Sequence, residues 1–189
     1  MANYVTTHSR SIPRADSSAE RFTTRCIYVD SLAINGAVAI PGRDLNNGFT
    51  ITLNNPILLD ISTRYVMCLI KAEFDTLALG GQFYDVNINT PLIEFQYVND
   101  KQQQLLNKVY KVKYDAAFYQ TGTPFEYQAI NPINRFIQST TKNITQVSFT
   151  IDIVDRLGNV SPLPVGQYPT RLCFIIKQVP PNVVSTTII

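Results

Sequence analysis

An all-β fold, two sheets closing on one core, is what this sequence predicts, and three observations carry the expectation. Short segments of strict apolar and polar alternation succeed one another along most of the chain, the mark of strands with one buried face. Ten Tyr, ten Phe and eleven Pro favour pleated strands and turns over helices. Clusters of Gly, Asn, Asp and Pro fall between the segments, where turns are needed. At 189 residues and 45% hydrophobic content the chain is long enough to bury one proper core, so a single domain is expected.

Taken in order, residues 1–20 are rich in Ser, Thr and Ala without an apolar period and are expected to form a flexible arm. Phe22–Val29 is the first strand. Phe49, Ile51 and Leu53 share one face of a second and Thr50 and Thr52 the other, after a turn at Asn46-Asn47-Gly48. Tyr65–Phe74 is apolar on both faces for most of its length, as expected of a central strand covered on two sides. After Gly80-Gly81, Val86 and Ile88 alternate with Asp85, Asn87 and Asn89. Ile93, Phe95 and Tyr97 then alternate with Glu94 and Gln96, and Tyr110, Val112 and Tyr114 with Lys111 and Lys113.

The cleanest alternation sets Val147, Phe149, Ile151 and Ile153 against Gln146, Ser148, Thr150 and Asp152, which places Asp152 on a solvent face. A turn rich in Gly and Pro, residues 156–169, leads to the last strand, Thr170–Gln178. One segment departs from the period of two: Ile130, Ile133, Phe136 and Ile137 recur at helical spacing, with Asn131 as N-cap and Pro132 as first helical residue, so a short helix is expected. Eight strands result, the number of a double-Greek-key jelly roll, with room in 115–129 for another. The expected architecture is a single eight-stranded jelly roll, a β-sandwich with one short helix. It would span residues 21–179, between the flexible arm (1–20) and a C-terminal tail (180–189).

Charge narrows the function classes. Sixteen Lys and Arg against fourteen Asp and Glu give a net charge of +2, too small to drive tight binding to a phosphate backbone, so no specific nucleic-acid partner is expected. The densest basic spot, Lys108, Lys111 and Lys113, is better explained as a solvated strand face than as a nucleic-acid groove. Charged residues are only 16% of the chain, so much of the surface must be covered by uncharged groups, a composition suited to subunits that bury their outside in an assembly. Cys26, Cys68 and Cys173 each lie in an apolar run, where a free thiol behaves as a small buried hydrophobe, and an odd, sparse set argues against a disulfide framework. The first residues have no apolar h-region and no Gly at position 2, and no apolar run approaches a membrane span, so a soluble protein made in a reducing compartment, with no membrane insertion, is expected. The sequons at Asn143 and Asn159 would matter only for a secreted chain.

A catalytic reading finds little to stand on. The single histidine, His8, sits in the expected arm, where nothing would hold it against a nucleophile, and the cysteines lack the paired spacing of a zinc site. Asp152, Asp155 and Glu94 are the carboxylates that could in principle converge as a hydrolase pair, but Asp152 is expected on solvent and Asp155 at the opening of a turn. Calcium at Asp155 with Asn159 lacks the acidic density of an oxygen cage, and Gly80-Gly81 suits a tight turn better than a phosphate loop. No enzymatic activity and no cofactor are expected. The informative remainder is the tail after Pro180-Pro181, NVVSTTII, uncharged in its side chains and β-branched, suited to packing on a neighbouring subunit or back onto its own sheet.

Two stretches, FTITLNNPILLDISTRYVMCLIKAEF and VSFTIDIVDRLGNVSPLPVGQYPTRLCFIIKQ, resemble the penton, or minor capsid, single jelly-roll proteins of virophages and polinton-like viruses. The resemblance lies in the strand Phe49–Leu53, the dipeptide Ile57-Leu58 and the long strand opening on Tyr65. It extends to the final hairpin with Asp155, Gly158 and Asn159 in its turn, and to Phe125–Gln138 before it, which is similar to that family's aromatic-then-helix element. Where that family places an Asn-Ile pair soon after the long strand, this chain has Leu77–Gly81 and offers Asn87-Ile88 only later. The resemblance implies a vertical jelly roll, five copies of which plug the vertices of an icosahedral virion among trimeric double-jelly-roll major capsid proteins. It implies self-association as a homopentamer, contacts with the major and other minor capsid proteins, and assembly inside the host cell. Arm and tail are then expected to tether the pentamer to its neighbours, through Tyr4, Val5, Val183, Val184, Ile188 and Ile189. The alternative is a secreted β-sandwich that binds carbohydrate or protein, favoured by the aromatic content and the sequons.

Overall fold

The structure, a computed structural model, describes residues 24–60, 62–80, 82–98, 101–113 and 124–179. The strands are β1 (Thr24–Asp30), β2 (Ala37–Ala39), β3 (Gly48–Leu58), β4 (Tyr65–Phe74), β5 (Tyr84–Asn89), β6 (Gln96–Val98) and β7 (Lys101–Gln103). They continue as β8 (Leu105–Val112), β9 (Phe125–Gln128), β10 (Arg135–Phe136), β11 (Asn143–Val154), β12 (Val160–Pro162) and β13 (Arg171–Gln178). Every named pairing is antiparallel.

Sheet order gives the architecture. The first sheet runs β1-β13-β4, with β9 and β10 end to end along the far edge of β4, and the second runs β2-β3-β11-β5-β8. Counting β9 and β10 as one interrupted strand and setting aside the short β2, β6, β7 and β12, eight principal strands remain. The first sheet takes the first, eighth, third and sixth of them, and the second takes the second, seventh, fourth and fifth, which is the strand order of a jelly roll. The fold is thus the antiparallel β-sandwich that the alternating segments predict.

Inward side chains of both sheets fill the space between them. Phe49 and Phe149 from the second sheet lie 5.8 Å apart at their ring centroids, and Phe149 meets Phe174 from the first sheet at 5.4 Å, all three fully buried. Offset aromatic contacts of this kind add about 1 kcal/mol each beyond the area they bury. At one end of the sandwich a polar network ties three connections together. Thr170 donates its N–H to Ser31 Oγ at 2.9 Å and its hydroxyl to the Asn46 carbonyl at 2.6 Å, while Asn47 Nδ2 reaches the Leu163 carbonyl at 2.8 Å. Ser31, Asn47 and Thr170 are buried, so each unmade bond here would leave a stranded polar group.

Four sequence expectations need correction. No helix forms at 131–137; Arg135 and Phe136 instead pair with Met67 and Val66, and Ile137 bridges Ile93. Backbone pairing along the edge of β4 outweighs the weak tendency of so short a segment to coil, and it leaves Ile130 and Ile133 exposed instead of on a buried helical stripe. Secondly, Ile93–Tyr97 does not supply a strand to either sheet of the sandwich: only its end, Gln96 and Tyr97, is extended, in β6 of the separate two-stranded β6–β7 sheet, so the sixth principal strand is β9/β10. Thirdly, Asp152 is buried although it lies on the polar face of β11. Fourthly, Tyr110 and Val112 do not share a face: Val112 is buried and Tyr110 is 68% exposed. Lys111 between them has φ of 55°, and the β5–β8 register slips across the same point, a bulge that turns one side chain over.

Candidate functional site

The two flanks of the sandwich differ in construction. On one, the edge of β4 is covered by β9 at Lys71–Phe74 and by β10 at Val66–Met67. Between them residues 129–134 leave the ladder, held at their start by the Ala129 N–H to the Ile70 carbonyl at 2.8 Å. An edge broken in this way resists strand addition. It also projects side chains sideways: Ile130 is 93% exposed and Ile133 48%. Arg135 follows, half buried, its Nε without a hydrogen-bond partner; burial pushes its guanidinium down from the usual range, against a smaller upward pull from Tyr110 of β8. Tyr110, Ile130 and Ile133 therefore belong to the flank formed by β8 and β9/β10.

On the opposite flank the edges are β1 and β2, joined by a single 3-10 turn, Ala33–Asn35. Tyr28, Leu32, Ile34 and Val38 are all exposed there, Ile34 at 84%. Each flank thus offers large apolar side chains to water, and the two sets are different surfaces rather than copies of one patch. Such a pair of unlike surfaces can join head to tail.

The outer face of the first sheet is charged. Glu73 takes Lys71 at 2.8 Å and Arg171 at 3.1 Å, and Lys71 also reaches Glu126 at 3.1 Å. Burial alone would push the Glu73 carboxyl up, but its two cationic partners outweigh it and hold the group below the usual carboxylate range. The Glu73 hydrogen bond leads in raising Lys71. Beside them Cys26 and Cys173 lie with sulfurs 3.4 Å apart, both free; burial and its neighbours push Cys173 up to about 12.

The carboxylates considered for hydrolysis are separated. Asp152 pairs with Arg43 at 2.6 Å, Glu94 with Arg64 at 2.8 Å, and the three line different surface concavities. Asp155 does open a turn: its Oδ1 accepts the Leu157 and Asn159 N–H groups at 2.8 and 2.9 Å, and its Oδ2 accepts Asn159 Nδ2 at 2.7 Å. These bonds hold its carboxyl below the usual range, the Asn159 side chain contributing most. Among the described residues no three His, Cys, Asp or Glu come together as a metal cluster, and no helix is long and apolar enough to cross a membrane. Of the basic spot, Lys108 is engaged with Asp85 at 3.0 Å and Lys113 lies over the Phe83 ring at 5.1 Å.

His8 and the tethering residues Tyr4, Val5, Val183, Val184, Ile188 and Ile189 lie outside the described residues. The flank residues Ile130 and Ile133 were hidden in the sequence by their helical spacing, although the Asn131-Pro132 dipeptide is a turn signal.

No protein-family model matches this chain, and no curated protein does. Among solved structures, the selenomethionine-labelled mavirus penton protein aligns with 52% of this chain at 13% identity and a TM-score of 0.37. The alignment covers 35% of that protein, about a third of its length.

Proposed function

We propose that this chain is a structural subunit of a viral capsid, a penton-type minor capsid protein that closes into a homopentamer at an icosahedral vertex. The observation that carries the reading is the pair of unlike apolar flanks, Tyr110, Ile130 and Ile133 on one side and Leu32, Ile34 and Val38 on the other. A ring requires a heterologous contact, one surface of each copy against a different surface of the next, and closes when the rotation between copies divides the circle. Large apolar side chains left in water stabilise such a contact once covered, at roughly 25 cal/mol per Å² of apolar area removed from water. The jelly-roll strand order and the sequence resemblance to penton proteins support the same reading. In it the terminal segments, with Tyr4, Val5, Val183, Val184, Ile188 and Ile189, bind neighbouring major and minor capsid proteins, and the chain works through shape rather than catalysis.

Native mass measurement of the full chain tests this. The expected result is a pentamer, alone or on mixing with the major capsid protein of the same virus. Ile130→Asp with Ile133→Asp should shift the pentamer to a folded monomer with an unchanged far-ultraviolet circular dichroism spectrum, since both side chains are exposed in the single chain. A wild type that stays monomeric under both conditions overturns the proposal.

A further inference from the structure

Cys26 and Cys173 are free thiols whose sulfurs lie 3.4 Å apart across the β1–β13 ladder. In register, Cys26 stands opposite Ile175 and Cys173 opposite Tyr28, so the two cysteines are diagonal neighbours. Ile27 and Val29 of β1, and Leu172, Phe174 and Ile176 of β13, belong to the core, so both thiols fall on the outer face of the first sheet. The third cysteine, Cys68 on β4, stands opposite the other side of Ile175, with β13 between it and Cys26.

A disulfide holds its sulfurs about 2.0 Å apart, so closing the 3.4 Å contact takes a movement of roughly 1.4 Å. Edge strand β1 can supply it. Among the described residues its ladder partners are all on β13, so a small shear of β1, with both side chains turning, breaks no second ladder. Access is unequal. Cys26 is partly exposed, whereas Cys173 is 4% exposed and reaches the surface only through a pocket of about 180 Å³ that it lines with Tyr28, Lys71, Glu73 and Arg171. Burial, with the Cys26 contact adding to it, pushes Cys173 up to about 12, so Cys173 waits as a thiol while Cys26 meets a reagent from solution.

We propose that Cys26 and Cys173 form a site of reversible oxidation, at which a small soluble disulfide of the oxidised-glutathione class converts the two thiols into a bond that clips β1 to β13. Cys26 Sγ, as thiolate, attacks one sulfur of the reagent, whose disulfide breaks and releases one glutathione. Cys173 Sγ then attacks the Cys26 sulfur of the mixed disulfide and releases the second. Two protein thiols are oxidised, one reagent disulfide is reduced, and both protons end on the two glutathione thiols. Held in contact, Cys173 reaches the mixed disulfide faster than a glutathione can return from solution. The chemistry is independent of the capsid reading. Its timing rests on that reading, because a particle assembled in a reducing cell interior meets oxidising conditions on leaving it.

The test incubates the folded full chain with oxidised glutathione, without denaturant, and reads intact mass, non-reducing peptide maps and thermal melts. Wild type should lose the mass of two hydrogens, yield a peptide joining Cys26 to Cys173, and gain roughly 5 °C or more in thermal midpoint, all reversed by dithiothreitol. Cys68→Ala should behave the same way. Cys173→Ala should stop at glutathione carried on Cys26, and Cys26→Ser should form no internal disulfide. A wild type that stays reduced, that keeps glutathione on Cys26 without closing, that links Cys68 instead, or that closes with no change in midpoint would overturn the proposal. Chain mass reads the same in a monomer and a pentamer, so failure here leaves the ring standing, and failure of the ring leaves this result intact.

Discussion

Gly166 has no room for a side chain because the carboxylate of Asp75 occupies the space where its Cβ would stand. The contact is close for a reason: Asp75 Oδ2 accepts the N–H groups of Gln167 at 2.6 Å and Tyr168 at 3.1 Å, and Oδ1 accepts that of Leu77 at 2.8 Å. One buried carboxylate thus fastens the β12–β13 connection to the β4–β5 connection. Gly166→Ala is expected to destabilise the fold by about 2 kcal/mol through overpacking, and Asp75→Asn by a similar amount through bonds lost from a charged acceptor. Because the two residues touch, Asp75→Ala combined with Gly166→Ala should cost less than the sum of the single changes, read from urea midpoints.

The Arg43–Asp152 pair makes a second prediction. Their side chains are 22% and 11% exposed, and a Cβ on Gly48 would meet the Arg43 stem at 2.6 Å, so the guanidinium is boxed in over the sheet. Removing one partner strands the other charge, and Arg43→Ala is expected to cost about 3 kcal/mol. Replacing both, Arg43→Met with Asp152→Leu, should recover most of the loss in thermal melts, because an apolar pair needs no counter-charge. A single Arg43→Ala with an unchanged melting point would show that the pair contributes nothing.

How far the sequence could be read follows from what each element depends on. Tyr65–Phe74 was legible to the residue because a central strand buried on both faces leaves a continuous apolar run, and the Val147–Ile153 alternation gave the inward face of β11 because period two is a local property. Of the β9/β10 edge, β9 falls in the stretch 115–129 that had room for a further strand, but β10 was not legible, because a two-residue strand carries no period and the excursion before it mimics a helix. Asp152 kept its face but not its exposure: nothing local announces that Arg43, 109 residues away, will close over it. The Cys26–Cys173 contact was invisible for the same reason, its sulfurs coming from β1 and β13, which are brought side by side only by the sheet order.

Glu73 links the outer face of the first sheet to pH. Its carboxyl is held below the usual range in the folded chain by Lys71 and Arg171, against the opposing effect of burial. A depressed folded-state value contributes stability that is complete above the ordinary carboxylate range and is lost as pH falls through the folded value. Glu73→Gln removes that contribution. The thermal midpoint of the wild type should therefore exceed that of Glu73→Gln at neutral pH, and the gap should close on acidification. A gap that widens as pH falls would reverse the sign and rule the linkage out.

Lys111 gives the last prediction, from backbone alone. Its φ of 55° lies in the left-handed region, where a residue with a Cβ is disfavoured by about 1–2 kcal/mol and glycine is not. The conformation is held by the β5–β8 bulge and by the Lys111 N–H donated to Asp85 Oδ1 at 3.2 Å, a bond that any residue but proline can make. Lys111→Gly relieves the strain and gives part of it back as chain entropy in the unfolded state, so a net gain of about 0.5 kcal/mol is expected. Lys111→Ile adds a branch at Cβ and should lose about 1–2 kcal/mol by the same reasoning. Equilibrium unfolding of the two variants checks the order: glycine most stable, lysine next, isoleucine last. Any other order would mean that the side chain at this bulge is retained for a contact and not merely tolerated by the turn.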